Sequence, residues 1–449
     1  MSGGLAWKAA VARGAGALSR RSGRGGTSLP GKVLLRLAPD AIGRLASGLS
    51  RGTAVISATN GKTTTAAMVA AVLEHGGVEL VHNRQGANMA GGVASSLLAA
   101  RGHGDFGLFE VDEFWLDRIE PELAPKAILL ANLFRDQLDR YGELETIADR
   151  WAAVAASTRA QLVLNADDPL VADLGRGRDA VFFGVEDRSL AMAQMQHAAD
   201  AKHCRTCGSP YRYDAIFLGH LGHFHCDVCG ATRPVPSVSA QDVVLDGVRG
   251  ARFSLVTPAG RAEVSLPLPG LYNVYNALGA AALGLSLGAS LDDVVAGLHA
   301  VAPAFGRAES VRMGGRDVLL LLVKNPAGAN EVLRTLVLEE GEHDLLAVLN
   351  DRTADGKDVS WVWDADFEVL APKVRRVVCA GTRAPELALR LKYAGVPEDR
   401  IVVEAELDAA LDLALADGSG RLVAIPTYTA MLELRELLAS RGVVRGQFT

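Results

Sequence analysis

The sequence predicts an α/β fold, a doubly wound domain followed by a smaller Rossmann-like α/β domain. Three observations carry that prediction. Thr53 to Ala58 is a β-branched run that leads through a glycine turn into a helix-compatible stretch. Successive apolar segments each end in polar residues, as strands do when a site lies along their carboxyl edge. Glycine, at 48 of 449 residues, is enriched over the usual share of about 7% and suits many backbone-lined turns.

Composition bounds the rest. The length allows about three domains, and 49% apolar residues can fill several cores, which excludes wholesale disorder. A net charge of −6 argues against a chain whose main role is coating nucleic acid. No apolar run approaches the roughly 18 residues a membrane helix needs. Five cysteines, four of them in two close pairs, do not resemble a secreted disulfide framework, so a cytoplasmic protein is expected. Residues 1–40 form a basic N-terminal arm, with seven Lys or Arg and no acid before Asp40. Its composition fits either a transit peptide or an arm or helix over the body near anionic headgroups. The second reading is preferred.

In chain order, the strand ending at Ala58 is followed by a helix to His75, which Gly76-Gly77 stops. Phe106 to Val111 is the second strand, with Glu110 just inside its end and Asp112-Glu113 beyond it. Ala127 to Leu130 leads to Asn132, and Gln161 to Leu164 leads to Asn165-Ala166-Asp167-Asp168-Pro169. Residues 200–235 interrupt the rhythm with four cysteines and four histidines. A small-residue helix, Ala277 to Leu287, follows. Beyond a boundary near residue 310, strands at Val318, Leu345, Val374 and Leu422 alternate with helical stretches. The expected division is 1–40, 41–310 with an insertion at about 200–235, and 311–449.

Gly61-Lys62-Thr63 is the core of a phosphate-binding loop, although the first glycine of the general pattern is replaced by Ile56. Backbone N–H groups at a helix start meet negative charge, Lys62 adds a point charge, and Thr63 can ligate Mg2+. Glu110 is the best-placed carboxylate for that ion. Cys204-x-x-Cys207-Gly and Cys226-x-x-Cys229-Gly, 18 residues apart, can hold one structural Zn2+ tetrahedrally with no open position. His203, His220, His223 and His225 are unneeded as ligands and are expected at the surface.

These residues carry a resemblance. Ala58-Thr59-Asn60-Gly61-Lys62-Thr63-Thr64-Thr65 resembles the ATP loop of Mur ligases and folylpolyglutamate synthetases. Asn132 to Gly142, Asn165 to Pro169, Gly270 to Ala277 (with Asn273 and Asn276) and Gly306-Arg307-Ala308-Glu309 follow in that family's order. Ala58, Gln137 and Tyr272 depart from it. The four-cysteine insertion and the segment Asn350 to Trp361 are similar to the MurT family, the ligase-like subunits of lipid II isoglutaminyl synthases.

The resemblance implies ATP- and Mg2+-dependent amidation of the D-glutamate α-carboxyl in the lipid II stem peptide, in peptidoglycan biosynthesis. ATP and Mg2+ would be bound by Thr59, Asn60, Gly61, Lys62, Thr63, Thr64, Glu110, Asn132, Asn273, Asn276 and Arg307. It implies a GatD-type glutaminase partner in a heterodimer, contacted by residues 311–449. Asp355, then Asp358, then Asp351, would complete that partner's catalytic site. Work on a lipid substrate would place the protein in the cytoplasm, peripherally at the inner membrane face. Two other readings compete: an amino-acid ligase, and an ATP-switched zinc-ribbon module for nucleic acid.

Overall fold

The first predicted strand is β1, Thr53–Ser57, buried at every position and followed at once by the helix Lys62–His75. It belongs to a computed structural model that describes residues 3–21, 28–83, 87–136, 144–197, 199–302, 307–416 and 420–443. β2 (Leu80–His82), β3 (Phe106–Glu110), β4 (Ala127–Leu130), β5 (Gln161–Asn165) and β6 (Ala180–Val185) lie parallel to it in the order β6-β5-β4-β1-β3-β2. β1 sits between β3 and β4, so the crevice at its carboxyl end is where such a sheet binds ligands.

β7 (Arg212–Leu218) and β8 (Leu221–His225) form a separate antiparallel hairpin. Three further strands extend the first sheet beyond β6: β9 (Val238–Leu245), β10 (Ala251–Thr257) and β11 (Gly260–Leu266), the last two antiparallel. Apolar residues cover both faces of this sheet, with Trp151 and Phe109 on one side and Phe183 and Phe253 on the other. That double burial explains why its central strands read as continuous apolar runs rather than alternating ones.

A second sheet has the order β12-β13-β17-β14-β15-β16. Its strands are β12 (Arg307–Met313), β13 (Arg316–Leu321), β14 (His343–Val348), β15 (Val374–Ala380), β16 (Ile401–Val403) and β17 (Leu422–Pro426). All but the hairpin strand β12 run parallel. β12 begins at Arg307, so this sheet takes up residues ahead of position 311.

The second sheet has an ionic anchor. Arg316 and Asp344 are both buried and meet at 2.6 Å, and Arg316 also donates to the carbonyls of Ala414 and Gly420. Breaking such a pair strands a buried charge, so Asp344→Ala should destabilise the chain by about 3–5 kcal/mol in urea unfolding.

Two helices are described within the first 40 residues. Gly3–Arg21 and Leu29–Leu37 are helices, and Leu5, Ala9 and Ala12 pack with Leu34, Ala38, Ala41 and Leu98. Lys8 ties the first helix down by donating to the carbonyl of Leu37 at 2.7 Å.

Candidate active site and metal centre

The phosphate loop is shaped by asparagines from three other segments. Gly61 has φ +85°, and a Cβ there would lie 2.1 Å from Asn276 Oδ1, so only glycine fits. Asn276 also accepts from Thr65 Oγ1 at 3.2 Å and donates to Asn273 Oδ1 at 3.0 Å. Asn273 in turn donates to Pro269 O at 2.7 Å. On the other side Asn132 grips Asn60 through both its backbone groups, at 2.8 and 3.0 Å. Thr59 accepts from Phe134 N at 3.1 Å.

Lys62 is buried at the start of its helix and donates to Glu113 Oε2 at 2.8 Å and to the carbonyl of Ala58. Burial opposes its charge, but the carboxylates of Glu113, Asp112 and Glu110 outweigh burial and raise its pKa. Burial likewise opposes ionisation of Glu113, and Lys62 and Lys324 hold its carboxyl below the usual range. Glu113, which the sequence offers only as a strand-end acid, is thus the partner of Lys62, and Glu110 is the carboxylate expected for Mg2+. Glu110 Oε1 accepts from Thr63 Oγ1 at 3.2 Å. Two hard oxygen donors beside a phosphate loop suit Mg2+. Trp151 Nε1 donates to Glu113 O at 3.1 Å and fixes this segment from below.

The second sheet closes over the loop. Lys324 and Asn325 follow β13, and Asn325 caps the helix Pro326–Val337. Lys324 donates to Thr59 O at 3.1 Å and pairs with the buried Asp136. Asn325 and Asn60 exchange side-chain hydrogen bonds at 3.0 and 3.3 Å. Sequence reasoning missed Lys324 and Asn325, although an Asn-Pro step at a helix start was there to be read. Beside the junction lies a cavity lined by Gly61, Asn132, Asn273 and Asn276 and by apolar groups such as Leu268 and Val332. Such a mixed lining suits a nucleotide base and sugar.

Thr59, Asn60, Gly61, Lys62, Thr63, Thr64, Glu110, Asn132, Asn273 and Asn276 therefore come together. The Arg307 side chain and residues 137–143, including Gln137, lie outside the described residues. Tyr272 lines the cavity.

The four insertion cysteines converge. Cys204–Cys229 and Cys207–Cys226 have sulfurs 3.5 Å apart, and all four lie within 4.8 Å of one another. Tetrahedral zinc at about 2.3 Å from each sulfur requires about 3.8 Å between sulfurs, so the donor set fits. The two knuckles repeat each other, with Gly208 and Gly230 both at φ +73°. Cys204 N and Cys226 N donate across their turns to Ser209 and Ala231. If this centre is structural, Cys226→Ser should abolish zinc retention and lower the melting temperature. Small zinc-binding domains draw about 10–16 kcal/mol from such sites. Fewer than one zinc per chain by metal analysis would overturn the assignment.

The histidine expectation fails at two positions. His220 and His223 are buried, His220 against the Phe134 ring at 4.7 Å and His223 bonded to Val185 O at 2.8 Å. The hairpin that carries them packs into the first core through Phe217, Leu218 and Leu221, which takes the histidines inside with it.

The three aspartates of the 351–358 loop have different settings. Asp355 is buried and accepts from Thr429 N at 2.7 Å and from Thr429 Oγ1, at the start of the helix Tyr428–Ser440. Asp351 is paired with Arg383 at 3.0 Å, and exposed Asp358 caps Ser360 N at 2.8 Å.

Residues 56–227 match the Mur ligase middle domain, and residues 322–431 match the MurT ligase C-terminal domain. The chain is 34% identical over 434 residues to a Staphylococcus aureus (strain N315) protein named lipid II isoglutaminyl synthase (glutamine-hydrolyzing) subunit MurT, covering 96% of each chain. The chain belongs to the MurT family. A second MurT, from Streptococcus pneumoniae (strain ATCC BAA-255 / R6), is 34% identical over 95% of each chain. The fold is also shared with a pseudomurein peptide ligase type C from Methanothermus fervidus, at TM-score 0.68 and 24% identity, covering 87% and 79% of the two chains. MurF from Acinetobacter baumannii matches at TM-score 0.65 and 18% identity, covering 91% and 80%. The MurT C-terminal match spans Lys324, Asn325 and the 351–358 loop, so the closing residues and the acidic loop sit in the part that carries the MurT name.

Proposed function

We propose that this chain is the ATP-dependent ligase subunit of a lipid II isoglutaminyl synthase. The observation that carries the reading is the junction of Lys62, Glu113, Thr63 and Glu110, roofed by Lys324 and Asn325. A carboxylate is a poor electrophile. Its oxygen attacks the γ-phosphorus of ATP, the bond to the β,γ-bridging oxygen breaks, and ADP leaves an acyl phosphate. The ammonia lone pair then attacks the acyl carbon, the bond to phosphate oxygen breaks, and phosphate and a proton depart.

Lys62 meets the charge that develops on the transferring group, at a helix N-terminus made for anions. Thr63 and Glu110 would hold Mg2+, which supplies charge neutralisation when bound. Thr59, Asn60 and Thr64 form the loop around the phosphates. Asn132, Asn273 and Asn276 hold that loop and face the nucleotide cavity, and Arg307 is assigned to the nucleotide from the resemblance. The four cysteines hold structural Zn2+.

Free ammonium is not nucleophilic, so the nitrogen has to be made and delivered under cover. This chain has no thiol fit to release it from glutamine. Four cysteines form the metal cluster, and Cys379 is fully buried in β15, where burial pushes its thiol up to about 12. A GatD-type glutaminase partner is therefore part of the proposal, docked on the C-terminal domain, with Asp355 contributing to its site. The lipid substrate places the working complex at the inner face of the membrane.

Incubation with ATP, lipid II and ammonium should give an amidated product, and amino acids in place of ammonium should give none. Ligation of an amino acid would support the amino-acid ligase instead.

A further inference from the structure

The first helix, Gly3–Arg21, presents an unusual outer face. Trp7 is 56% exposed, Val11 49% and Leu18 71%, with Ala10, Gly14 and Ala17 exposed between them. Positions 7, 11, 14 and 18 fall on one stripe of a helix, opposite the stripe of Leu5, Ala9 and Ala12 that packs on the body. A surface helix of a globular protein normally turns charge outward. Between Gly4 and Ser19, where exposure is described, every fully exposed residue is uncharged, while Lys8 and Arg13 sit at intermediate positions on its flanks.

The surroundings supply the charge. Residues 1–39 hold seven Lys or Arg and no acid. Beside the helix, Arg13, Arg44, Arg101 and His103 line one cleft. No described helix is long and apolar enough to cross a membrane, so this one can lie on a bilayer but not span it. An apolar stripe bearing a Trp and flanked by cations is the pattern of an in-plane interfacial helix.

We propose that this helix docks the protein on an anionic bilayer, with Trp7, Val11 and Leu18 entering the headgroup boundary and the flanking cations meeting lipid phosphates. The proposal gives a means of attachment to the lipid substrate assigned above and rests on that reading only for its purpose. Surface attachment confines the enzyme and a membrane-held substrate to the same thin layer. Both then meet at a much raised local concentration without any added contact in the active site.

The test is flotation of the full chain with vesicles free of lipid II, one set phosphatidylcholine alone and one containing phosphatidylglycerol. Binding should be at least tenfold stronger to the anionic set and should weaken as salt rises. The triple variant Trp7→Glu/Val11→Glu/Leu18→Glu should lose that binding while keeping its melting temperature. It should amidate a water-soluble lipid II fragment normally and vesicle-embedded lipid II poorly. Wild-type chain that ignores anionic vesicles, or a triple variant that binds them as well, would overturn the proposal and leave the ligase assignment standing. A triple variant that instead loses its glutaminase partner or a self-associated state would make this face a protein interface and overturn the proposal. Failure of the wild type on the soluble fragment would count against the ligase reading alone.

Discussion

Lys62→Ala is expected to lower amidation by at least about 10³-fold with ammonium and with glutamine alike, because both routes need the acyl phosphate. The residue is buried, charged and set at the first turn of the helix that follows the Gly61 loop. Removing it also leaves Glu113 as an unpaired buried carboxylate, so the single variant loses stability as well as activity. The double variant Lys62→Met/Glu113→Gln removes both charges together. It should recover most of the melting temperature and remain inactive, which separates the chemical role from the structural one. Glu110→Ala should fail with both nitrogen sources too, since it acts on the same step. Ordinary ammonium-driven turnover in Lys62→Ala would overturn the assignment.

Asp355→Asn is expected to divide the two nitrogen sources. Loss of the carboxylate that orients a catalytic histidine costs about 10⁴ in turnover, so glutamine-driven amidation should collapse while ammonium-driven amidation persists. The setting of Asp355 makes the control essential. It already accepts two hydrogen bonds from Thr429 at the start of a helix, where negative charge is favourable in its own right. Equal loss with both sources, together with a lowered melting temperature, would make Asp355 a remote helix cap and nothing more. Loss confined to glutamine, with the complex still assembled, assigns it to the partner's chemistry.

What could be read from the sequence was what local chemistry dictates. The strand, glycine turn and helix around Gly61 lie within about twenty residues, and the two cysteine knuckles declare themselves by spacing. The contacts that finish the site do not. Glu113 is 51 residues from Lys62, and Asn325 is 265 from Asn60, so only the fold brings them together. Glu110 and Glu113 are both strand-end acids, and nothing in their order says which one a lysine will choose. The first helix was obscured by its own composition. Apart from Leu5 its packing face is built of small residues such as Ala9 and Ala12, so no strong apolar period betrays that one side is buried. The burial of His220 and His223 is hidden for a related reason, since it comes from the apolar residues of the hairpin that carries them rather than from the histidines themselves.

The helix Pro326–Val337 touches more than the phosphate loop. Its cap residue Asn325 meets Asn60, and Arg334, near its far end, donates to Phe217 O at 2.6 Å on the hairpin that leads into the second cysteine knuckle. One rigid rod thus bears on both places, and a rod transmits displacement without needing a chain of rearrangements between its ends. The tip of that hairpin is therefore the footing of a lever whose other arm rests on the Gly61 loop.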